Sequence, residues 1–368
     1  MTQFNGKVGL VQRVLPSYRA PFFNALGRAC TGGLSVFAGD PRPEELIHPA
    51  KGLDDAEFAQ GRNLHLLRGR FYLCWQRGLM DWLRGWDPDA LIVEANPRYL
   101  RTGAAVRWMQ HKERPVIGWG LGAPTPTGPL AAIRIARRRR FLRQFGALIT
   151  YSATGAEEYT ALGIPRDRIF VAVNAVTPAP EGPPPARPAP EEITQPQLLF
   201  VGRLQPRKNL DNLLRACAGL PAERQPALTI VGDGPDRARL EALAADIYPE
   251  THFTGALYDE ALTAQFAKAD LFVLPGTGGL AIQQAMRFGL PVIAAEADGT
   301  QADLVRPTNG WQAPPDDIPA LTRVLDTALS DLGRLRRMGA ESYQIVAEEI
   351  NLEQMVAVFV EALQRSAA

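Results

Sequence analysis

Two doubly wound α/β domains in one chain are what this sequence predicts, and three observations carry the expectation. Short apolar runs of strand length alternate with longer amphipathic stretches from end to end, as in parallel sheets covered by helices on both faces. The alternation stops once, in a proline-rich segment, and then restarts. A length of 368 residues accommodates two such units.

In the first half, "KVGLVQRVL", "GLSVFAG", "ALIVEA", "PVIGWGL", "ALITYS" and "IFVAVN" read as strands. Between them, "YRAPFFNALGRAC", "FYLCWQRGLMDWLRGW" and "RYLRTGAAVRWMQHK" read as amphipathic helices. From Thr177 to Gln197 eight residues are proline, so this segment supplies neither a central strand nor a helix and reads as a stiff linker. The alternation resumes with "QLLFVGRL", "ALTIVGDG", "THFTGAL", "LFVLPG" and "PVIAAE". Met355, Val358, Phe359 and Ala362 repeat at helical spacing in the closing segment. The expected organisation is a first domain over 1–178, a linker over 179–197, a second domain over 198–350 and a terminal helix over 351–368 that packs back toward the first domain. Ligands of such sheets bind beyond the carboxyl ends of the strands, so a cleft between two facing domains is where chemistry is expected.

Composition narrows the class. Apolar residues make up 46% and charged residues 21%, which suits a soluble globular enzyme. The net charge of +1 carries no nucleic-acid signature. Cys30, Cys74 and Cys217 form no CxxC pair and are odd in number, which fits a reducing cytoplasm better than a disulfide framework. The four histidines show no metal-ligand spacing. No run of 18 apolar residues predicts a membrane span, and the N-terminus carries no cleavage signal.

Several strand exits carry chemistry. In "LFVGRLQPRKNLDNLLRA", Arg203 and Lys208 lie between a strand end and a helix starting near Asn209. An arginine fork and a lysine point charge can grip phosphate there; two solvated loop cations are the bland alternative. Gly232 and Gly234 in "IVGDGPDRARLEAL" suit either a nucleotide-binding turn or a plain strand-helix turn. In "PGTGGLAIQQAMRFGLPVIAAE" a glycine-rich turn precedes a helix from about Leu280 to Phe288. Backbone N–H groups from Gly276, Thr277, Gly278, Gly279 and Leu280, at a helix N-terminus, suit a diphosphate.

In the first half, Tyr18 and Arg19 follow one strand, and Glu94, Asn96 and Arg98 follow another. They are acceptor-side candidates, with helix capping and loop ion pairs as the alternative. Asp87 to Asp89, "DPD", precede a strand and read as a turn and not as a metal pair. Six arginines between Arg134 and Arg143 interleave with Ile135, Phe141 and Leu142. Such a helix can rest on an anionic membrane or can simply present a solvated face.

The stretches "FVGRLQPRKNLDNLLRA", "LTIVGDGPDRARLEALA", "HFTGAL", "AKADLFVLP", "GLAIQQAMRFGLPVIAAEADGTQADLV" and "NGWQAPPDD" resemble, in that order, the C-terminal domain of retaining GT-B glycosyltransferases of family 4. The likeness is firm from Leu198 to Pro315; "VQRVLPSYRAPFFNAL" and "DPDALIVEANPRYL" look more loosely like the acceptor domain of those enzymes. The resemblance implies a GT-B fold, two Rossmann-like domains facing a central cleft. It also implies retaining, metal-independent transfer of a sugar from a nucleotide diphosphate to a glycan or lipid-linked acceptor, with no cofactor. It places Arg203 and Lys208 on the donor diphosphate and the backbone of Thr254, Gly255 and Ala256 against the nucleobase.

Relatives carry two glutamates eight residues apart, at positions that correspond here to Gly276 and Gln284. Gln284 can still bind a ribose diol, whereas Gly276 offers backbone alone, which suggests a donor such as a deoxyhexose. A histidine common in relatives near the reacting sugar is replaced by Leu121 or its neighbours Trp119 and Gly120. A non-catalytic nucleotide-sugar-binding protein is the alternative, and a nucleotide-sugar 2-epimerase a third reading. The expected location is cytoplasmic, with peripheral membrane contact through Arg134 to Arg143.

Overall fold

The computed structural model describes residues 3–45, 47–297 and 299–367. The chain divides into two compact units, one of residues 1–178 with 352–368 and the other of residues 179–351.

The first unit is built on β1 (Val8–Val11), α1 (Ala20–Arg28), β2 (Leu34–Ala38), β3 (Glu57–Gln60), β4 (Arg62–Leu66), β5 (Leu73–Arg77), α2 (Leu79–Trp86) and β6 (Ala90–Glu94). It continues through α3 (Thr102–His111), β7 (Val116–Gly120), α4 (Ala131–Leu142), β8 (Ala147–Thr150), α5 (Ala153–Ala161) and β9 (Ile169–Val171). Seven strands form a parallel sheet in the order β3-β2-β1-β6-β7-β8-β9. Every residue of β1, β2 and β8 is buried, as the continuous apolar runs require of strands covered on both faces.

The second unit runs β10 (Gln197–Val201), α6 (Leu210–Ala218), β11 (Ala227–Val231), α7 (Arg237–Ile247), β12 (His252–Gly255), α8 (Asp259–Lys268) and β13 (Leu271–Leu274). It closes with α9 (Leu280–Arg287), β14 (Val292–Ala295), α10 (Thr300–Leu304), β15 (Gly310–Ala313), α11 (Ile318–Leu329) and α12 (Leu332–Glu348). Its parallel sheet has the order β12-β11-β10-β13-β14-β15. In each sheet the strand order reverses once, between β1 and β6 and between β10 and β13. Such switch points open a crevice at the carboxyl ends of the strands.

The last helix, α13 (Leu352–Ala367), belongs to the first unit. Its Phe359 ring lies 4.9 Å from both Phe22 of α1 and Trp119 of β7, closing an aromatic cluster over that sheet. The proline-rich segment lies on the second unit, where Arg187 is its anchor. The guanidinium donates to the carbonyls of Phe266 and Phe288 at 3.1 and 2.8 Å, and to those of Ala267 and Ala269. Burial, then the nearby charge of Arg336, lowers Arg187 to about 10.

One expectation fails. The stretch from Phe71 to Trp86 is not one helix: Leu73 to Arg77 pair antiparallel with Arg62 to Leu66 as a hairpin, and helix begins only at Leu79. Residues 73–77 alternate in burial along the strand, with Cys74 and Gln76 inside, and Gly78, at φ +89°, separates that period of two from the helix. Strands β3 and β15 also lay outside the runs that read as strands. Asp87 and Asp89 hold a turn: Asp87 accepts from Lys112 and Arg114, both at 2.6 Å, and Asp89 from the Lys7 amide at 2.8 Å.

Candidate functional site

In the second unit, the exits of β10 and β13 meet. After β10 the chain makes a short turn over Pro206 to Lys208, and Asn209, at φ +52°, redirects it into α6. After β13 the glycine turn runs beside it: the Thr277 amide donates to the Arg207 carbonyl at 3.1 Å, and Arg207 Nη1 to Thr277 Oγ1 at 3.1 Å. Lys208 is 9% exposed, and its Nζ donates to the Thr277 carbonyl. Burial, then the like charge of Arg207, lowers its pKa to about 8. Among the described residues no carboxylate acts on it, so none of them gives this cation, held out of water beneath a glycine turn, a counter-ion. Arg203 Nε is likewise buried with no hydrogen-bond partner among the described residues.

The turn is braced from behind by Gln301 of α10, whose Nε2 donates to the Gly278 carbonyl at 2.7 Å. Gly279 then caps α9 without a side-chain hydrogen bond, which leaves the helix's first N–H groups for a ligand. Gln284 is half-buried on α9, while its neighbour Gln283 is fully buried and donates to the Ile350 carbonyl at 2.8 Å. Arg207 and Gln301 are the members of this constellation that sequence reasoning missed. The signal for Arg207 was its place beside Lys208 in "QPRKN"; Gln301 carries none.

Gly276 has a packing explanation. A Cβ there would stand 2.3 Å from the Arg207 carbonyl oxygen and 2.6 Å from the Lys208 carbonyl carbon. The turn over Pro206 to Lys208 occupies the space a side chain needs, so the lost carboxylate no longer points at the donor. Gly276→Ala is therefore expected to cost about 1–3 kcal/mol through overpacking, read as a lower midpoint in urea; an unchanged midpoint would show that the two turns can part freely. Gly232 is similar, because its Cβ would meet the Gly202 carbonyl oxygen at 1.9 Å. Its amide donates to the Gly255 carbonyl at 2.8 Å. Thr254 donates its hydroxyl to the same carbonyl at 2.8 Å, Gly255 is buried at φ +74°, and Ala256 is exposed beside it.

In the first unit, a cavity of about 430 Å³ opens beyond β6 and β7. Its walls bring together Glu94, Asn96, Arg98, Trp119, Gly120 and Leu121, with Tyr99, Arg138, Phe141 and Tyr151 unforeseen. Glu94 ends β6 and accepts from the Arg13 amide at 2.6 Å. Burial pushes its carboxyl up to about 7, against that hydrogen bond and the charges of Arg13 and Arg19. Arg19 stacks over the rings of Trp119 and Tyr151, 5.4 and 5.2 Å from their centroids. Its Nη1 and the Trp119 indole N–H have no partner among the described residues. Trp119 is only 2% exposed, tied into the aromatic cluster as much as into the wall. Tyr18 is exposed and is not among the lining residues. Asn96 accepts the Arg98 amide at 3.1 Å, which shapes the loop.

The arginine run lies on α4. Arg134 and Arg138 donate to carbonyls of residues 124 to 129, and Arg139 to that of Leu162 at 2.7 Å. Arg137, Arg140 and Arg143 are exposed. No described helix is long and apolar enough to cross a membrane.

Residues 186–345 match the model of "Glycosyl transferases group 1". Over 111 residues the chain is 44% identical to a GDP-mannose-dependent alpha-mannosyltransferase of Mycobacterium tuberculosis (strain CDC 1551 / Oshkosh), covering 29% of this chain and 27% of that protein. Over 159 residues it is 33% identical to a GDP-mannose-dependent alpha-(1-6)-phosphatidylinositol monomannoside mannosyltransferase of Mycolicibacterium smegmatis (strain ATCC 700084 / mc(2)155), covering 39% and 41%. The chain thus spans less than half the length of these curated relatives. In structure it is similar to the lipopolysaccharide outer core galactosyltransferase WaaB (TM-score 0.69, 15% identity, 98% and 99% covered). A crystal structure of Anabaena HepE in complex with UDP is alike to the same degree (TM-score 0.69, 16% identity, 99% and 100% covered).

Proposed function

We propose, from the premise that this chain belongs to the glycosyl transferases group 1 family through residues 186–345, that it transfers a hexose from a nucleotide diphosphate to a glycan or lipid-linked acceptor. The observation that carries the reading is Lys208, a buried ammonium under a glycine turn with no acid beside it among the described residues. Desolvating a cation without an opposite charge beside it costs stability, and the cost is recovered when a dianionic diphosphate arrives. Arg203 and the free N–H groups of α9 complete the cradle.

Each group acts in the transfer through charge. As the glycosidic bond to the donor breaks, negative charge builds on the leaving diphosphate. Lys208, Arg203 and the α9 N-terminus are fixed where that charge grows, so they need little reorganisation. The diphosphate itself takes the proton of the acceptor hydroxyl in a front-face, retaining reaction. In the first unit, Glu94 accepts a hydrogen bond from a second, non-reacting hydroxyl of the acceptor, and Asn96 and Arg98 hold the rest of it.

GDP-mannose is the first donor to test, since the two curated relatives above carry GDP-mannose in their names. A deoxyhexose has no support from them, and the packing of Gly276 removes its motive. Surface contact through Arg137, Arg140 and Arg143 suits a lipid-linked acceptor. Thermal-shift titration with GDP-mannose, UDP-glucose, dTDP- and CDP-sugars tests the donor. One nucleotide sugar should raise the unfolding midpoint, and Arg203→Ala should weaken it by about tenfold or more. If none of them shifts the midpoint, the donor reading falls. Binding without transfer to any of a broad acceptor panel would favour the non-catalytic alternative.

A further inference from the structure

The β4–β5 hairpin is built inside out. Its inner face is polar: Asn63 donates to the carbonyls of Arg13 and Asp40 at 2.6 and 2.9 Å, and Gln76 to that of Gln12 at 2.9 Å. His65 Nδ1 meets the Tyr72 hydroxyl at 2.9 Å. The outer face is apolar: Leu64 pairs across the strands with Trp75, and Leu66 with Leu73. At the tip Leu67 and Phe71 stand 63% and 62% exposed. A one-residue slip in register would bury the leucines and expose the amides. The hydrogen bonds of Asn63 and Gln76 lock the opposite choice, so the apolar face is presented by construction.

Charge says what it is presented to. Between Glu57 and Asp81 the sequence holds Arg62, Arg68, Arg70 and Arg77 and no acid. Arg62 and Arg77 face each other across the strands. Arg101 lies over Trp75, 4.6 Å from its ring, with Nε buried and unpartnered among the described residues. Arg42 lies over Tyr72 at 4.2 Å; its acidic neighbours are Glu44, 3.9 Å from the guanidinium, and Glu45, which accepts the Arg42 amide at 3.0 Å. Apolar side chains on a hairpin that holds arginines and no acid of its own complement an anionic bilayer, where leucine and aromatic rings enter the headgroup boundary and guanidinium groups meet phosphate. A second copy fits less well, because a two-fold contact would set arginine against arginine.

We propose that the β4–β5 hairpin docks the first unit on anionic membrane surfaces by inserting Leu66, Leu67, Phe71 and Trp75. The hairpin is joined to the cavity wall, since Cys74 bridges to Tyr99. α4 supplies Arg138 and Phe141 to the same cavity. The hairpin and the arginine helix therefore both adjoin the mouth proposed for the acceptor. The docking itself does not depend on the transfer reaction.

Cosedimentation of the full chain with vesicles tests it. The protein should pellet with phosphatidylcholine–phosphatidylglycerol vesicles and stay in solution with phosphatidylcholine alone. Leu67→Ser combined with Phe71→Ser should weaken the binding about tenfold, while the circular-dichroism spectrum and the unfolding profile of both units stay those of the wild type as proof of fold. Unchanged binding by the double variant, or no binding by the wild type, overturns the proposal. As a second readout, brominated lipid should quench the wild-type fluorescence, and Trp75→Phe should remove that component; quenching unaltered by Trp75→Phe also overturns it. An oligomer in light scattering that the double variant dissolves, with vesicles ignored, assigns the face to a second copy instead. Absence of any nucleotide shift in the wild type defeats the donor reading and leaves the vesicle result standing.

Discussion

Lys208→Met is expected to make the protein more stable and nearly inactive. The wild-type ammonium is 9% exposed and its pKa is lowered to about 8 from an ordinary 10.5. At about 1.4 kcal/mol per unit this corresponds to a penalty of roughly 3 kcal/mol. The sign follows from the direction of the shift: folding disfavours the protonated form, so the cost is full below pH 8 and fades as the pH rises toward 10.5. Methionine fills a similar volume without charge, but it leaves the Thr277 carbonyl without its donor, which returns about 1 kcal/mol. A net gain of about 2 kcal/mol at pH 7 should appear in urea unfolding and vanish near pH 10.5. Transfer, meanwhile, should fall by about a thousandfold in kcat/KM, as when a fixed donor to a developing oxyanion is removed. Wild-type donor affinity should also decline above pH 8 as the free ammonium loses its proton. Equal or lower stability in Lys208→Met would mean that the lysine is not strained by burial. Unaltered kinetics would remove it from the diphosphate.

The second unit was more legible than the first for reasons visible in particular residues. Phosphate binding at a strand exit uses backbone and glycine, so "VGRLQPRKN" and "GTGGL" announce themselves by type and spacing. What lay hidden there was mutual packing. That Gly276 is emptied by the Arg207 carbonyl, and that Gln301 braces Gly278, depend on contacts distant in sequence. In the first unit the hairpin was mistaken for helix because Leu73, Trp75 and Leu79, Leu83 blend periods of two and four across Gly78. Its outward apolar face also broke the rule by which burial is inferred from hydropathy. Glu94 was recognisable as an acid at a strand end. Its displaced titration was not, since that arises from burial among walls distant in sequence, against the charges of Arg13 and Arg19. Charge balance in the sequence carries no record of such enclosure.

Glu94→Gln is expected to erase a pH dependence rather than a binding site. With its carboxyl pushed up to about 7 by burial, Glu94 is half-ionised at neutral pH. If the ionised carboxylate holds a second, non-reacting hydroxyl of the acceptor, wild-type kcat/KM for the acceptor should rise tenfold per pH unit below 7 and level off above it. Glutamine keeps the hydrogen bond from the Arg13 amide but accepts from the hydroxyl only as a neutral amide. The variant should be flat across this range and about a hundredfold slower at pH 8, with its nucleotide affinity unchanged because the donor cradle lies in the other unit. Stability should move the opposite way. A raised carboxyl pKa stabilises the fold at low pH, and this contribution is lost as the pH climbs through 7. Above pH 7 the variant should therefore be the more stable protein, by no more than about 2 kcal/mol once partial exposure is allowed for. An acid limb that survives in Glu94→Gln would assign the titration to another group and leave Glu94 as a structural acceptor for Arg13. Loss of nucleotide affinity in the same variant would show that its effect spreads beyond the cavity.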